Sequence, residues 1–259
     1  MVERASGIVE YQDGETVRKP KVYRPKRVLE SPDPNIKVAV SLPVYGDFKA
    51  QFGYAYGKLM LFTGASLVAD GIIDLTANMI EGTYLDKARN DLTLQALKTG
   101  ATHLLWLDCD MKFPQDALMR LLGHRKEIVG ANYAHRRFPI RHTAFKEVSR
   151  ESSDKHVQCR TKPDSTGLEP VDAIGFGLLL VQASVFHAME HPWFIVDQQY
   201  GEDVRFCLDA KAAGFQTYVD HDLSKEVTHY GPMGYSFLHA EEWVEAEERE
   251  RQQRIEAVA

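Results

Sequence analysis

The sequence predicts an α/β protein built on a mostly parallel sheet, and three observations carry that expectation. Short, fully apolar runs such as His103-Leu-Leu-Trp-Leu107 have the pattern of strands covered on both faces. These runs alternate with helix-period segments between residues 36 and 131, the signature of right-handed βαβ units. Glycine and proline punctuate the boundaries, at Pro43 to Gly46, Gly100 and Pro114.

The chain has 259 residues, 44% of them hydrophobic and 26% charged, enough to bury a sizeable core. A formal net charge of -6 argues against indiscriminate nucleic-acid binding by the whole surface. Cys109, Cys159 and Cys207 are odd in number and show no CxxC spacing, so reduced thiols in a cytoplasmic protein are expected. The first twenty residues are polar and charged and do not resemble a signal peptide, so none is expected. The longest apolar stretch, near Ala173 to Val181, is too short to span a bilayer.

Three regions are expected: a basic N-terminal arm (1–35), an α/β domain (36–235) and an acidic C-terminal helix (236–259). The arm carries six Lys or Arg and no acid between Thr16 and Leu29, while Pro20, Pro25, Pro32 and Pro34 discourage helix. Ile36 to Leu42 predicts the first buried strand, ending in the Pro43-Val-Tyr-Gly46 turn. Residues 48–66 have helical spacing, and Ser66 to Leu75 is read as a second strand turning at Asp70-Gly71. Tyr84 to Thr99 is a helix stopped by Gly100. After the 103–107 strand, Pro114 opens a helix over Gln115 to His124, and Ile128 to Ala131 is a further strand. Residues 149–169 are polar and predicted to be a loop or mobile flap. Val171 to Gln182 is strand material, Gly201 to Gly214 an amphipathic helix, and Gln216 to Val219 a strand.

Ligands of such sheets lie beyond the carboxyl ends of the strands, where the loop after Leu42 and the turn after Leu107 both fall. In that turn, Asp108 and Asp110 stand two apart and can share a hard divalent cation. Two acids at this spacing also arise by chance, as a helix cap or solvated loop. Glu202 and Asp203 open a helix, a position that the helix dipole favours for acids in any case. The basic run Ala134 to His142 follows a strand and suits either an anion or plain solvation.

Four segments in order resemble the family 2-like glycosyltransferases of the GT-A fold, of the compact phage and bacterial type, across roughly residues 36–232. They are Ala39-Val-Ser-Leu-Pro-Val-Tyr-Gly46, His103 to Leu118 around Asp108-Cys-Asp110, Asp172 to Leu180 with Gly175 and Gly177, and Gly201-Glu-Asp-Val-Arg-Phe-Cys207. The resemblance implies a metal-dependent transfer of sugar from a nucleoside diphosphate sugar, most simply a UDP-sugar, to an acceptor hydroxyl. Mn²⁺ or Mg²⁺ would be held by Asp110, with Asp108 and His229 assisting and His221 the rival histidine. In inverting members of the family the Asp203 position is the general base, with Glu202 contacting acceptor or loop; retaining chemistry would leave the pair to position the substrates. Pro43, Tyr45, Asp108, Gly175 and Gly177 would meet the donor. Arg89 and Asn90 would approach it from the preceding helix, unless Arg89 only pairs with Asp86 or Asp91. Gly175 and Gly177 equally suit a bulge.

Some enzymes of this kind glycosylate hydroxymethylated DNA bases, so DNA is one acceptor expected, with the basic arm around Tyr23 as its backbone contact. A glycan, lipid or protein acceptor is the alternative. A phage-encoded enzyme would work in the host cytoplasm. Two other classes are weighed against transfer. A nucleotidyltransferase would carry a Gly-rich G-x-G loop where this chain has Pro43 to Asp47. An inactive binding module would have no need of Asp108, Asp110, Asp203 and His229 together.

Overall fold

The computed structural model describes residues 36–149, 156–232 and 234–256. The basic arm lies outside the described residues. Strand β1 (Lys37–Val44) leads to helix α1 (Ala50–Thr63), which runs on into one π-helical turn over Gly64–Val68. Strand β2 (Asp74–Glu81), helix α2 (Leu85–Lys98) and strand β3 (His103–Leu107) complete the first βαβ series. Then come β4 (Met111–Lys112), α3 (Ala117–Gly123), β5 (Ile128–Gly130), β6 (Phe145–Glu147), β7 (Val157–Gln158) and β8 (Leu168–Val171). The chain finishes with β9 (Leu178–Gln182), α4 (Ala183–His187), α5 (Glu202–Ala212), β10 (Thr217–Asp220), α6 (His221–Ser224), β11 (Thr228–Tyr230), β12 (Gly234–Ser236) and α7 (Phe237–Glu256).

The central sheet has seven strands in the order β2-β1-β3-β9-β5-β10-β8. Strands β2, β1, β3, β5 and β10 share one direction, and β9 and β8 run against them. The expected mostly parallel sheet is therefore present. The apolar run after Asp172 supplies β9, which reverses between two parallel neighbours.

Side chains alternate across this sheet and divide the core in two. Val38, Val40, Leu42, Leu105, Leu107, Leu178 and Leu180 pack with Phe52 and Leu59 of α1 and with Leu118 and Leu121 of α3. Ala39, Leu104, Trp106, Leu179 and Val181 pack with Leu92 and Ala96 of α2 and with Phe206 and Ala210 of α5. Both faces are thus covered by helices, and each such fully buried Leu or Val contributes about 1.5–3 kcal/mol relative to exposure. Gly100 ends α2 with φ +76°, the left-handed conformation that a glycine adopts without a Cβ penalty.

Two stretches differ from the expectation. The second strand is Asp74–Glu81, not Ser66 to Leu75. Apolar Leu67 and Val68 extend α1 instead, and only the turn at Asp70-Gly71 falls as read. Beyond residues 150–155, which are not described, the supposed flap contains β7 and the first half of β8. Cys159 and Thr161 between them are fully buried.

A small second sheet, β12-β11-β4, sits at the carboxyl edge of the large one. It pairs His229 with Met111 and Thr228 with Lys112, so the chain following residue 227 is fastened to the turn that follows β3.

Candidate active site

The site forms where β1, β3 and β5 end. Backbone bonds fix the Asp108-Cys-Asp110 turn from three sides. Asp108 N–H donates to Gly177 O (3.2 Å), Lys49 N–H donates to Cys109 O (3.2 Å), and Tyr230 N–H donates to Asp110 O (2.8 Å). The loop after β1, the segment before β9 and strand β11 therefore all converge on one turn. Tyr45 is 86% exposed on that loop, whereas Pro43 is buried within β1.

The Asp110 carboxylate and His229 are brought together. His229 Nδ1 lies 3.0 Å from Ala134 O, and a carbonyl only accepts, so Nδ1 carries the proton. The ring thereby presents Nε2 to Asp110 Oδ2, 3.3 Å away. The other oxygen, Asp110 Oδ1, is buried without a hydrogen-bond partner among the described residues. Arg136 Nη1 approaches Oδ2 to 2.5 Å from a side chain that is half exposed. Burial alone would raise the Asp110 carboxyl; the hydrogen bond and charge of His229, with Arg136, outweigh it and hold the carboxyl below its ordinary value.

Asp108 points elsewhere. Its Oδ1 accepts from Arg89 Nη2 at 3.2 Å, and Arg89 Nη1 lies 3.6 Å from Glu202 Oε1. Arg89 is 2% exposed, and its guanidinium carbon sits 4.8 Å from the Phe176 ring centre and 6.0 Å from that of Phe194. Pairing with Asp86 or Asp91 is not what the structure shows: Asp91 takes Lys87 instead. Burial raises both Asp108 and Glu202, and Arg89 works against that rise in each. Arg89 is thus the strut between the β3 turn and the N-terminus of α5, buried within the protein behind the site.

Asn90 is likewise engaged in structure. Its amide donates to Asp86 O (3.0 Å) and Phe194 O (2.8 Å), and its oxygen accepts from the N–H groups of Trp193 (2.9 Å) and Phe194 (3.2 Å). Every hydrogen-bonding atom of that side chain secures the 193–194 segment, which leaves none for a donor. Asp203 occupies the first turn of α5, where Oδ1 accepts from Val204 N–H at 2.7 Å. Its charge acts on Asp108, Arg89, Glu202, Tyr133 and His135, which places it in the same electrostatic cluster.

Tyr133 is the functional neighbour that the sequence did not reveal. Its buried ring meets the His229 ring edge to face at 5.3 Å, and its hydroxyl accepts from Gly177 N–H at 2.9 Å. A Cβ at Gly175 would stand 2.4 Å from the Tyr133 hydroxyl, and one at Gly177 2.8 Å from the ring. The two glycines therefore make room for Tyr133. Neither lies in a left-handed conformation. The signal for this lay only in the tyrosine following β5, too common a residue there to stand out.

His221 is not part of this site. It faces Glu169 and Thr161 on the other side of β10.

No protein-family model and no curated protein matches the chain. Among solved structures, the crystal structure of A197 from STIV aligns with TM-score 0.51 and 14% identity, over 76% of this chain and 86% of that one. That likeness shows a shared fold. GalNAc-T7 with UDP, GalNAc and Mn²⁺ aligns at TM-score 0.44 and 9% identity, over 72% of this chain and 42% of that one, too distant to bear on function. Among the described residues, no helix is long and apolar enough to cross a membrane.

Proposed function

We propose that the protein is a glycosyltransferase of GT-A type that moves a sugar from a nucleoside diphosphate sugar to an acceptor hydroxyl. The observation that carries this reading is the Asp110–His229 pair. A carboxylate with one buried, unpartnered oxygen faces an imidazole Nε2, and the ring's opposite nitrogen is pinned to a backbone carbonyl. Such a second hydrogen bond is the usual support of a metal-binding histidine. The hard oxygen and borderline nitrogen fit Mn²⁺ or Mg²⁺.

Asp110 and His229 would hold the cation, with Asp108 beside them. Bound there, it would neutralise the diphosphate of the donor as the glycosidic oxygen leaves. The remaining work falls to the chain itself. Arg89 ties Asp108 to Glu202 and opposes the rise that burial imposes on both carboxyls. The loop from Tyr45 to Lys49, tied to Cys109, offers an exposed aromatic ring to the nucleotide. Asp203, held by its own helix terminus through Oδ1, is the base that takes the acceptor proton through Oδ2 as the hydroxyl attacks the anomeric carbon. The order of the four sequence segments supports the same reading, since together they line one strand-end edge. A hydroxymethylated DNA base is the acceptor that we would try first, because the arm before Ile36 is strongly basic.

The test is release of nucleoside diphosphate from UDP-, GDP- and dTDP-sugars with Mn²⁺, with and without hydroxymethylated DNA. Wild-type protein should release it, and Asp110→Ala should not, although its thermal unfolding stays cooperative. Undiminished turnover by Asp110→Ala would overturn the metal assignment, and release of pyrophosphate would point to nucleotidyl transfer.

A further inference from the structure

Away from the strand-end site, three side chains from separate segments meet beside the edge strand β8. Cys159 follows β7 and is fully buried, His221 opens α6 and is buried, and Glu169 on β8 is 29% exposed at its side chain. His221 Nε2 lies 2.8 Å from Glu169 Oε2, and Cys159 Sγ lies 3.7 Å from the same oxygen. All three ligand atoms fall within 4.8 Å of one another. Among the described residues no other trio of His, Cys, Asp and Glu is so compact, the Asp108, Asp110 and His229 group included.

The surroundings are built to hold these groups in place. Val219 of β10 is paired with Glu169, His221 N–H donates to Gly167 O (3.0 Å), and Cys159 N–H donates to Ala144 O (2.9 Å). Lys146 occupies Glu169 Oε1, so Oε2 alone faces the cysteine and histidine. On its far side, His221 Nδ1 is 3.0 Å from Thr161 Oγ1, which in turn accepts from Asn132 Nδ2 at 3.1 Å.

We propose that Cys159, Glu169 and His221 form a zinc site, distinct from the site at Asp110, which fastens the segment after β7 to the β8–β10 edge. The donor set is one sulfur, one nitrogen and one oxygen, each a recognised Zn²⁺ ligand. Around a tetrahedral ion with bonds of about 2.0–2.3 Å, the ligand atoms stand about 3.3–3.7 Å apart. The Cys159–Glu169 spacing of 3.7 Å already matches, the 2.8 Å His221–Glu169 pair must open, and the Cys159–His221 pair, within 4.8 Å, must settle into the same range. The Thr161 hydroxyl supplies the outer hydrogen bond that orients a ligating imidazole.

Charge balance is available as well, because Cys159 brings a thiol and its proton beside the Glu169 carboxylate. Binding of Zn²⁺ releases that proton to solvent, and thiolate and carboxylate together balance the ion in a place where net charge is costly. The sulfur also sorts the metals. A thiolate favours Zn²⁺ here, while the oxygen and nitrogen donors at Asp110 suit Mn²⁺ or Mg²⁺. A water would complete the four ligands.

Cobalt titration of the full-length protein tests this, with Co²⁺ as a coloured substitute for Zn²⁺. One equivalent should give the near-ultraviolet thiolate-to-cobalt charge-transfer band with four-coordinate visible absorption, and Zn²⁺ should bleach both. The band should survive Asp110→Ala and Cys109→Ser and vanish in Cys159→Ser. His221→Gln and Glu169→Gln keep the thiol in place and should weaken Co²⁺ binding by at least roughly tenfold, since even an outer-shell partner is worth about 10–100-fold. Zn²⁺ should raise the unfolding temperature of the wild type and Asp110→Ala, and raise that of His221→Gln less at the same concentration. Absence of the band, its persistence in Cys159→Ser, or its loss in Cys109→Ser alone would overturn the proposal. The Asp110→Ala arm separates this outcome from failure of the transferase reading.

Discussion

Arg136 and His229 converge on a single oxygen of Asp110, the guanidinium at 2.5 Å and the imidazole Nε2 at 3.3 Å from Oδ2. The arginine thus places a positive charge where the carboxylate would receive a cation. It comes from the loop after β5, and its side chain is 53% exposed. Removing it should therefore favour metal. An exposed ion pair is worth about 0.2–1 kcal/mol, which corresponds to at most about a fivefold change in affinity. Arg136→Ala should bind Mn²⁺ up to about fivefold more tightly by calorimetry. If diphosphate contacts Arg136 once displaced, the same variant should bind UDP more weakly in the presence of saturating Mn²⁺. A variant unchanged in both titrations would remove Arg136 from the site.

Arg89 tests the strut between the two halves of the site. It is enclosed by Phe176 and Phe194 and faces Asp108 and Glu202. Removing one partner of a buried ion pair commonly costs about 3–5 kcal/mol, because the charges left behind lose their compensation. Arg89→Met should lower stability by about that much in urea unfolding at neutral pH. The loss should shrink as pH falls and Asp108 and Glu202, both already raised by burial, take up protons. Arg89→Lys should recover little, since an ammonium cannot reach both carboxylates as a planar fork does. A surface role for Arg89 would instead leave stability unchanged.

The strands and helices that surround these residues were largely legible before any coordinates, because periodicity is a local property. The His103–Leu107 strand, the Asp108 turn and the α5 start at Glu202 all fall where apolar runs, Gly and Pro place them. Strand β2 was misplaced for a physical reason. It is an edge strand with a mostly solvated pattern, in which Leu75, Ala77 and Met79 alternate with Asp74, Thr76 and Asn78, and the denser apolar run just before it, Leu67-Val68 and Ile72-Ile73, belongs to the preceding helix and turn. The partners of the site residues were beyond local reading. Arg89 meets Glu202 across 113 positions, and Tyr133 meets Gly177 across 44. Nothing near Gly175 announces that a tyrosine ring, and not a ligand, fills the space above it.

That substitution of tyrosine for ligand gives a test at the glycines. A methyl group at Gly175 would fall 2.4 Å from the Tyr133 hydroxyl, so the ring must move, and it packs on His229. Overpacking of this kind costs about 1–3 kcal/mol. Gly175→Ala should lose stability in that range and also weaken Mn²⁺ binding through the displaced histidine. Combining it with Tyr133→Phe removes the oxygen that clashes and should restore part of both losses. If Gly175→Ala is stable but fails to bind a nucleotide-sugar, the glycine admits a ligand after all.

The C-terminal helix offers a pH-dependent test that is independent of the active site. Glu241 on α7 is buried against His142 and Arg160. Its Oε1 lies 2.8 Å from His142 Nε2 and accepts from Arg160 Nε at 2.9 Å, and its Oε2 accepts from Arg160 Nη2 at 2.9 Å. Burial alone would raise this carboxyl, but those hydrogen bonds outweigh it and bring it down to about 2. A carboxyl depressed in the folded state contributes stability that is fully present above its unfolded value near 4.5 and is lost as pH falls toward 2. On the far side of the His142 ring, Nδ1 lies 3.3 Å from Asn132 Nδ2, so the imidazole is held between Asn132 and Glu241. Glu241→Gln should therefore be less stable than wild type at pH 6, and the difference should close progressively between pH 4.5 and 2. Limited proteolysis should follow the same course, with α7 cut first at low pH in the wild type and already susceptible at neutral pH in the variant. A gap between the two proteins that stays constant down to pH 2 would mean that Glu241 holds the helix by packing and not by its charge.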